Sequence, residues 1–500
     1  MIDLDELRRW IKKIEGHARS YGLDFYPVIF EMVAFKQMNE VASFGGFPVR
    51  YPHWRFGMQY QYMERSYKYG LHKIYEMVIN NNPCYAYLLD NNKMIDQKMV
   101  VAHVYAHCDF FKNNAYFSVT NRKMMDEMAN HGMRIRRYGM KYGYEVVEDF
   151  LDTCFSLENL IDPESAFLPS GGSAYDRQAL NDEDDAITVP KLKSKGYMDS
   201  YINPPDYLQR RKEEMEEARK REGGFPPKPE KDILMFLIQY APIPTWQRDI
   251  LSMIREESYY FAPQAQTKIM NEGWATYWHT KIMTRKCLDD SELIDYADHQ
   301  SGTLGVQPGQ INPYKLGLEL FKDIEYRWDK GRFGKEYDEC DDLETRTTWD
   351  LDLGQGLEKI FQVRAIYNDM NFIDDFLTDE FCREHKLFSY RLNEKTGMYE
   401  IDDRSLEKIK ENLLFSLTNS GYPYVTVVDG NYENRGELYL KHRHDGVDLR
   451  VDYANATLER LFKIWTRPVH IQTCVGETVH VRSFDGSSHK ERTITEKTAA

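Results

Sequence analysis

The chain has only seven cysteines in 500 residues, and no two of them stand in a Cys-x-x-Cys spacing. An odd, scattered set of this kind excludes a disulfide framework and a zinc knuckle, and it points to reduced thiols in a reducing compartment. Long apolar runs are also missing. Ile233-Leu234-Met235-Phe236-Leu237-Ile238 is one of the longest, far short of the roughly 20 residues needed to span a bilayer. The opening Met1-Ile2-Asp3-Leu4-Asp5 is acidic where a secretory leader is basic, so a cytoplasmic location is expected. Excess positive charge is absent: 80 acidic residues against 65 Lys and Arg leave a formal charge of -15. That balance argues against nucleic acid and anionic membrane as partners. Arg210-Arg211-Lys212 is followed at once by acidic residues and makes no basic patch. There is no GxxxxGK[ST], no strand–GxGxxG–helix unit and no GxSxG, which leaves nucleotide-binding and serine-hydrolase readings without a motif.

What remains has globular composition, with 42% hydrophobic, 29% charged and 14% aromatic residues, and a length suited to two or three units. The pattern predicts a mainly α fold, a large helical body of zincin-like kind with a small C-terminal α+β domain. Helical periodicity is read over 4–42, 56–80, 93–111 and 120–160. Residues 1–162 make an N-terminal helical part. Residues 163–230, with Ser170-Gly171-Gly172-Ser173 and the charge run from Arg210 to Arg221, read as an irregular charged insert. Residues 231–400 form a second helical part. Residues 401–486 read as the small α+β domain, with strands at 422–429 and 437–442, a hairpin turn at Asp445-Gly446, a helix at 453–465 and strands at 469–474 and 478–484. Residues 487–500 are expected to be a disordered tail.

Two phrases carry the chemistry. His103-Val104-Tyr105-Ala106-His107-Cys108-Asp109 puts two histidines four apart on a helix, where both imidazoles reach one divalent ion. In the HExxH motif the residue after the first histidine is the glutamate base, and here it is Val104. Asn271-Glu272-Gly273-Trp274-Ala275-Thr276-Tyr277-Trp278-His279 sets Glu272, Ala275 and His279 on one helix face, with Ala275 leaving room for a neighbouring helix. His103, His107 and Glu272 together are a two-histidine, one-carboxylate ligand set, suited to zinc first and ferrous iron second. In gluzincin proteases the third ligand is a glutamate in a similar Glu-Gly-Trp-Ala phrase on a later helix. With the base missing, His279 or Asp109 has to move the proton, or the chemistry is not hydrolysis. His131, Glu148, Glu256 and His299 are lesser candidates, either for supporting the ligands or for holding a second metal, and His442 and His444 share a strand face that reads as solvated.

The same phrases resemble the SpoVR family, the stage V sporulation protein R and its relatives. The resemblance extends to Gly46-Phe47-Pro48-Val49-Arg50-Tyr51-Pro52-His53-Trp54-Arg55-Phe56-Gly57, Trp246-Gln247-Arg248, Ile311-Asn312-Pro313-Tyr314 and Asn431-Tyr432-Glu433-Asn434-Arg435-Gly436-Glu437-Leu438. It implies a cytoplasmic bacterial protein of spore-cortex formation, or of stress response in bacteria that do not sporulate. It also implies association with a PrkA-type serine protein kinase and a YeaH/YhbH-type companion, but no agreed reaction. Three functional expectations follow: a zinc-dependent hydrolase of peptide or peptidoglycan-precursor bonds, a non-catalytic regulatory or scaffold protein, and a non-haem iron oxygenase on the same ligands.

Overall fold

In a computed structural model of the protein, residues 3–68, 76–167, 225–306, 310–393, 395–476 and 478–494 are described. The fold is mainly helical, with a small sheet formed late in the chain. Two compact units emerge, one from 1–148 with 259–422, the other from 149–258 with 423–500. The linear segmentation expected from sequence therefore regroups. Residues 1–148 and 259–400 of the two helical parts fall in one unit together with 401–422, whereas 149–162 and 231–258 fall in the unit of the late sheet. Most of the expected insert at 163–230 lies outside the described residues.

The first unit opens with α1 (Leu4–Ser20), whose N-terminus is capped by Asp3 accepting from Asp5 N at 2.9 Å. A three-stranded sheet follows, in the order β1 (Val28–Val33), β3 (Cys84–Leu89), β2 (Glu76–Ile79), with β1 parallel and β2 antiparallel to β3. Residues 28–33 and 76–79 were expected to be helical. Val28, Phe30 and Met32 in fact recur at period two, and their pairing with the buried β3 outweighs the local helical signal.

The core is built on two helices with no wet face. In α2 (Met94–Asn113) every residue from Ile95 to Phe111 except Met99 is buried, and in α3 (Lys268–Ile282) burial runs unbroken from Ile269 to His279. A helix apolar all round belongs in the middle of a unit. α4 (Pro313–Lys330) has its ends written in sequence: Asn312 accepts from Lys315 N, Pro313 opens the first turn, and Gly331 ends it at φ 70°. The α3–α4 crossing occurs at Gly273 and Gly317. A Cβ built on Gly317 would lie 2.1 Å from Ile269 O and 2.7 Å from Gly273 Cα, so the two backbones touch. The start of α3 is held by Asp369, from α5 (Asp369–Phe376), whose carboxylate accepts from Ile269 N at 2.7 Å and Met270 N at 2.8 Å. These first-turn amides have no partner within their own helix.

Late in the first unit β4 (Ser389–Asn393) and β5 (Met398–Asp403) pair antiparallel, and the second unit holds a five-stranded sheet in the order β10-β9-β8-β7-β6. Its strands are β6 (Tyr424–Tyr432), β7 (Glu437–Arg443), β8 (Val469–Val475), β9 (Thr478–Phe484) and β10 (His489–Ile494). The turn at Asp445-Gly446 makes no hairpin. The chain instead enters α6 (Val451–Trp465) and returns as β8 parallel to β7, because parallel neighbours need a crossover and a helix supplies it. The tail expected to fray from residue 487 pairs as β10 with β9 through Ile494. On the far side, Val427 of β6 exchanges backbone hydrogen bonds with Glu230. His442 is buried rather than solvated, its Nδ1 2.9 Å from Thr473 Oγ1. Among the described residues no helix is long and apolar enough to cross a membrane.

The glycine crossing gives a direct test. Gly317→Ala should destabilise the protein by about 3 kcal/mol, the upper range for overpacking, as read from a chemical denaturation midpoint. Gly16→Ala, in α1 with nothing within 4 Å of the added carbon, should be neutral or stabilise by about 0.5–1 kcal/mol. Equal effects of the two substitutions would refute the close-contact account.

Candidate metal centre

The four-residue spacing on α2 turns His103 and His107 to one side, with ring centroids 4.5 Å apart. From α3, Glu272 Oε2 stands 3.6 Å from His103 Nε2 and 3.5 Å from His107 Nε2. All three side chains are buried. The separations are beyond good hydrogen-bond length, and Glu272 Oε2 has no hydrogen-bond partner.

The far side of each imidazole fixes what the near side presents. His107 Nδ1 is 2.9 Å from Asn271 Oδ1. An amide oxygen only accepts, so the hydrogen sits on Nδ1 and a neutral ring turns its Nε2 lone pair toward Glu272. His103 Nδ1 is 2.9 Å from His279 Nδ1, and His279 Nε2 is 2.8 Å from Gln300 Oε1. The Gln300 amide is oriented by donating its NH₂ to Thr280 Oγ1 at 3.1 Å. Its oxygen then accepts from His279 Nε2, which leaves His279 Nδ1 to accept from His103 Nδ1. Burial, with His103 alongside, pushes the His279 pKa down to about 3, so this ring stays neutral. His103 Nε2 is thereby left as a second lone pair facing the carboxylate.

Three acceptor atoms thus converge, within 4.8 Å of one another, in a space that calls for positive charge. Lys268 Nζ donates to the other Glu272 carboxylate oxygen at 2.6 Å. Two ligand atoms about 2.05 Å from a tetrahedral zinc stand roughly 3.3 Å apart, close to the separations found. The donor set, the orphaned oxygen and the tethered far nitrogens all fit a divalent cation. Tyr314, at the start of α4, stacks on His103 with ring centroids 6.3 Å apart, and Phe111 stacks on His107 at 6.0 Å.

The sequence-expected residues separate into two groups. His103, His107, Glu272 and His279 come together, His279 reaching the centre through His103. Asp109 does not join them. It lies two residues past His107, on the other side of α2, and accepts from Asp24 N at 2.7 Å and Trp274 Nε1 at 2.9 Å, with Arg364 3.3 Å away. Burial pushes its carboxyl up to about 6 against the pull of Arg364. This constellation ties α2 to α3 and to the helix Gly356–Ile366. Val104 is fully buried in the apolar core. Sequence reading did not assign Asn271, Lys268, Gln300 or Tyr314. Asn271 and Tyr314 stand inside phrases already singled out, whereas nothing in the sequence marks Gln300, which arrives from the helix Leu293–Thr303.

Comparison with known proteins covers almost the whole chain. Residues 2–422 match the family model described as SpoVR like protein, and residues 423–476 match the SpoVR-like C-terminal domain. The chain is 30% identical over 489 residues to the Uncharacterized protein YcgB of Escherichia coli (strain K12), covering 93% of this chain and 90% of the relative. No solved structure matches.

The Asp109 constellation predicts a brace. Asp109→Asn keeps the shape but takes from the buried Arg364 its nearest counter-charge, and should cost about 3 kcal/mol in denaturant stability. A change below about 0.5 kcal/mol, typical of surface sites, would remove the bracing role.

Proposed function

The chain belongs to the SpoVR family, and from that premise we propose that it binds a divalent metal, zinc first and iron second, through His103, His107 and Glu272. One observation carries this reading: the orphaned Glu272 Oε2 faces two imidazole nitrogens whose partners on the far side leave them as lone pairs. A zinc held there would polarise a carbonyl or phosphoryl oxygen and acidify a bound water.

The role that best joins this centre to the family is that of a metal-dependent hydrolase of peptide or peptidoglycan-precursor bonds, in the cytoplasm, during spore-cortex formation. Support for the zincin-like likeness is a His-x-x-x-His helix meeting a Glu-Gly-Trp-Ala helix. Within the chain, Glu272 binds and takes charge, and Asn271, His279 and Gln300 orient the imidazoles. A second reading is favoured by Val104, buried where a zincin carries its base, and by the full engagement of Asp109. In it the metal is structural and the protein acts as a regulator or scaffold beside a PrkA-type kinase and a YeaH/YhbH-type companion.

Elemental analysis of protein purified without a histidine tag should find about one zinc or iron per chain. The metal should be lost in His103→Ala and Glu272→Gln. His279→Ala and Asn271→Ala should fold and weaken zinc affinity about 10- to 100-fold, measured by chelator competition. Chelation should lower the melting temperature and added zinc should restore it. Absence of stoichiometric metal together with an unchanged melting temperature would overturn the reading. Full complementation of a deletion strain by the folded double variant His103→Ala, His107→Ala would select the scaffold over the hydrolase.

A further inference from the structure

The phrase Asn431 to Leu438 has no part in the metal centre, yet it builds a second arrangement in the other unit. The chain turns there with Glu433, Asn434 and Gly436 at φ 52°, 57° and 68°. The turn is closed by Gly436 N donating to Asn431 Oδ1 at 2.9 Å. It folds Arg435 onto Glu437, the first residue of β7, with Arg435 Nε 2.6 Å from Oε1 and Nη2 3.0 Å from Oε2. A carboxylate held twice by a guanidinium has its charge answered. Glu437 nevertheless takes a third bond, Oε2 to His470 Nε2 at 2.8 Å.

That third bond decides the tautomer. The ionised carboxylate only accepts, so His470 carries its hydrogen on Nε2 and a lone pair on Nδ1. His470 Nδ1 is 2.7 Å from Ser483 Oγ, so the serine hydroxyl donates. The sheet register sets Tyr439, His470 and Ser483 side by side on β7, β8 and β9. Tyr432 packs its ring 5.2 Å from the imidazole and 4.4 Å from Tyr439. Burial holds His470 below its ordinary pKa although Glu437 pulls the other way, which favours the neutral ring. Ser483 is partly exposed.

We propose that Ser483, His470 and Glu437 form a nucleophilic relay competent for acyl transfer from an ester. Ser483 Oγ bonds to the acyl carbon while its proton passes to His470 Nδ1. The ester's C–O bond breaks and the departing alcohol takes that proton. Water then repeats the two steps and releases the acid and the free serine. Glu437 and Arg435 are positioning residues, fixing the imidazole in its accepting tautomer. Arg492, whose Nη2 is 2.5 Å from the Tyr432 hydroxyl, is a cation on this face for the developing oxyanion. Such relays are defined by geometry and roles, on unrelated folds and in any chain order, so the missing GxSxG does not bear on this one.

The test uses the full chain with a chelator present, which separates it from the metal centre. A fluorophosphonate ester, whose fluoride leaves on attack, should phosphonylate Ser483, located by peptide mass spectrometry. The adduct should be absent in Ser483→Ala. His470→Gln should slow labelling about 100-fold or more, the range of general-base assistance. Glu437→Gln should slow it with an unchanged melting curve, and Glu437→Asp should recover part of the rate. Labelling of wild type at other serines but not at Ser483, or an equal rate in His470→Gln, would overturn the proposal, and neither outcome depends on a variant failing to fold.

Discussion

Two glycine backbones in contact set where Glu272 can be. Gly273 follows the glutamate directly, and Gly317 lies one turn past Tyr314 on the helix that crosses it. With no side chain between them α3 and α4 pack at backbone distance, which fixes the height and rotation of α3 in the core. Asp369 then takes hold of the first amides of α3, and the Asp109–Trp274–Arg364 constellation ties the same helix to α2. The facing of one carboxylate oxygen and two imidazole nitrogens is thus a result of helix packing, not of the three side chains alone. Buried polar groups without partners are costly, and a fold that aligns three acceptors so rigidly maintains a demand for positive charge there.

Much of this arrangement was legible in the sequence, because its strongest signals are local. The His103–His107 spacing depends on neighbours within a turn. So does Glu272, once the Glu-Gly-Trp-Ala phrase is set beside it. What was not legible depends on partners far away in the chain. Asp109 read as a proton carrier because it sits two residues from His107, but a helix turns 200° in two residues, and its partners are Asp24, Trp274 and Arg364. Gln300 orients His279 from 21 residues further on, with no motif to announce it. Val28–Val33 and Glu76–Ile79 were drawn into helices since their pairing with β3 is invisible to any short window. The Asp445-Gly446 turn misled for the opposite reason: its local signal is sound, but a hairpin needs a strand directly after it, and the helix read at 453–465 stands there instead.

The two units solve one chemical problem in the same way. An imidazole has two nitrogens, and its use depends on which of them carries the hydrogen. At His107 an amide oxygen decides, at His103 a neutral histidine backed by a glutamine, and at His470 a carboxylate clamped by an arginine. In each case the partner is itself oriented or held, so the ring's other nitrogen is directed rather than left to rotate. The direction differs: in the helical unit two lone pairs meet at a carboxylate, and in the sheet unit one meets a hydroxyl.

The outer strands of the late sheet have a consequence of their own. A sheet edge offers unpaired amides and carbonyls to any extended chain, and open edges are where soluble proteins begin to aggregate. β10 is the run His489-Lys490-Glu491-Arg492-Thr493-Ile494, charged at three successive positions and short, which makes it a poor template for a neighbouring strand. At the other edge, β6 is interrupted by register shifts around Asp429 and meets Glu230 at Val427. With one edge charged and the other broken and partly covered, the sheet is protected from growing by strand addition at either end.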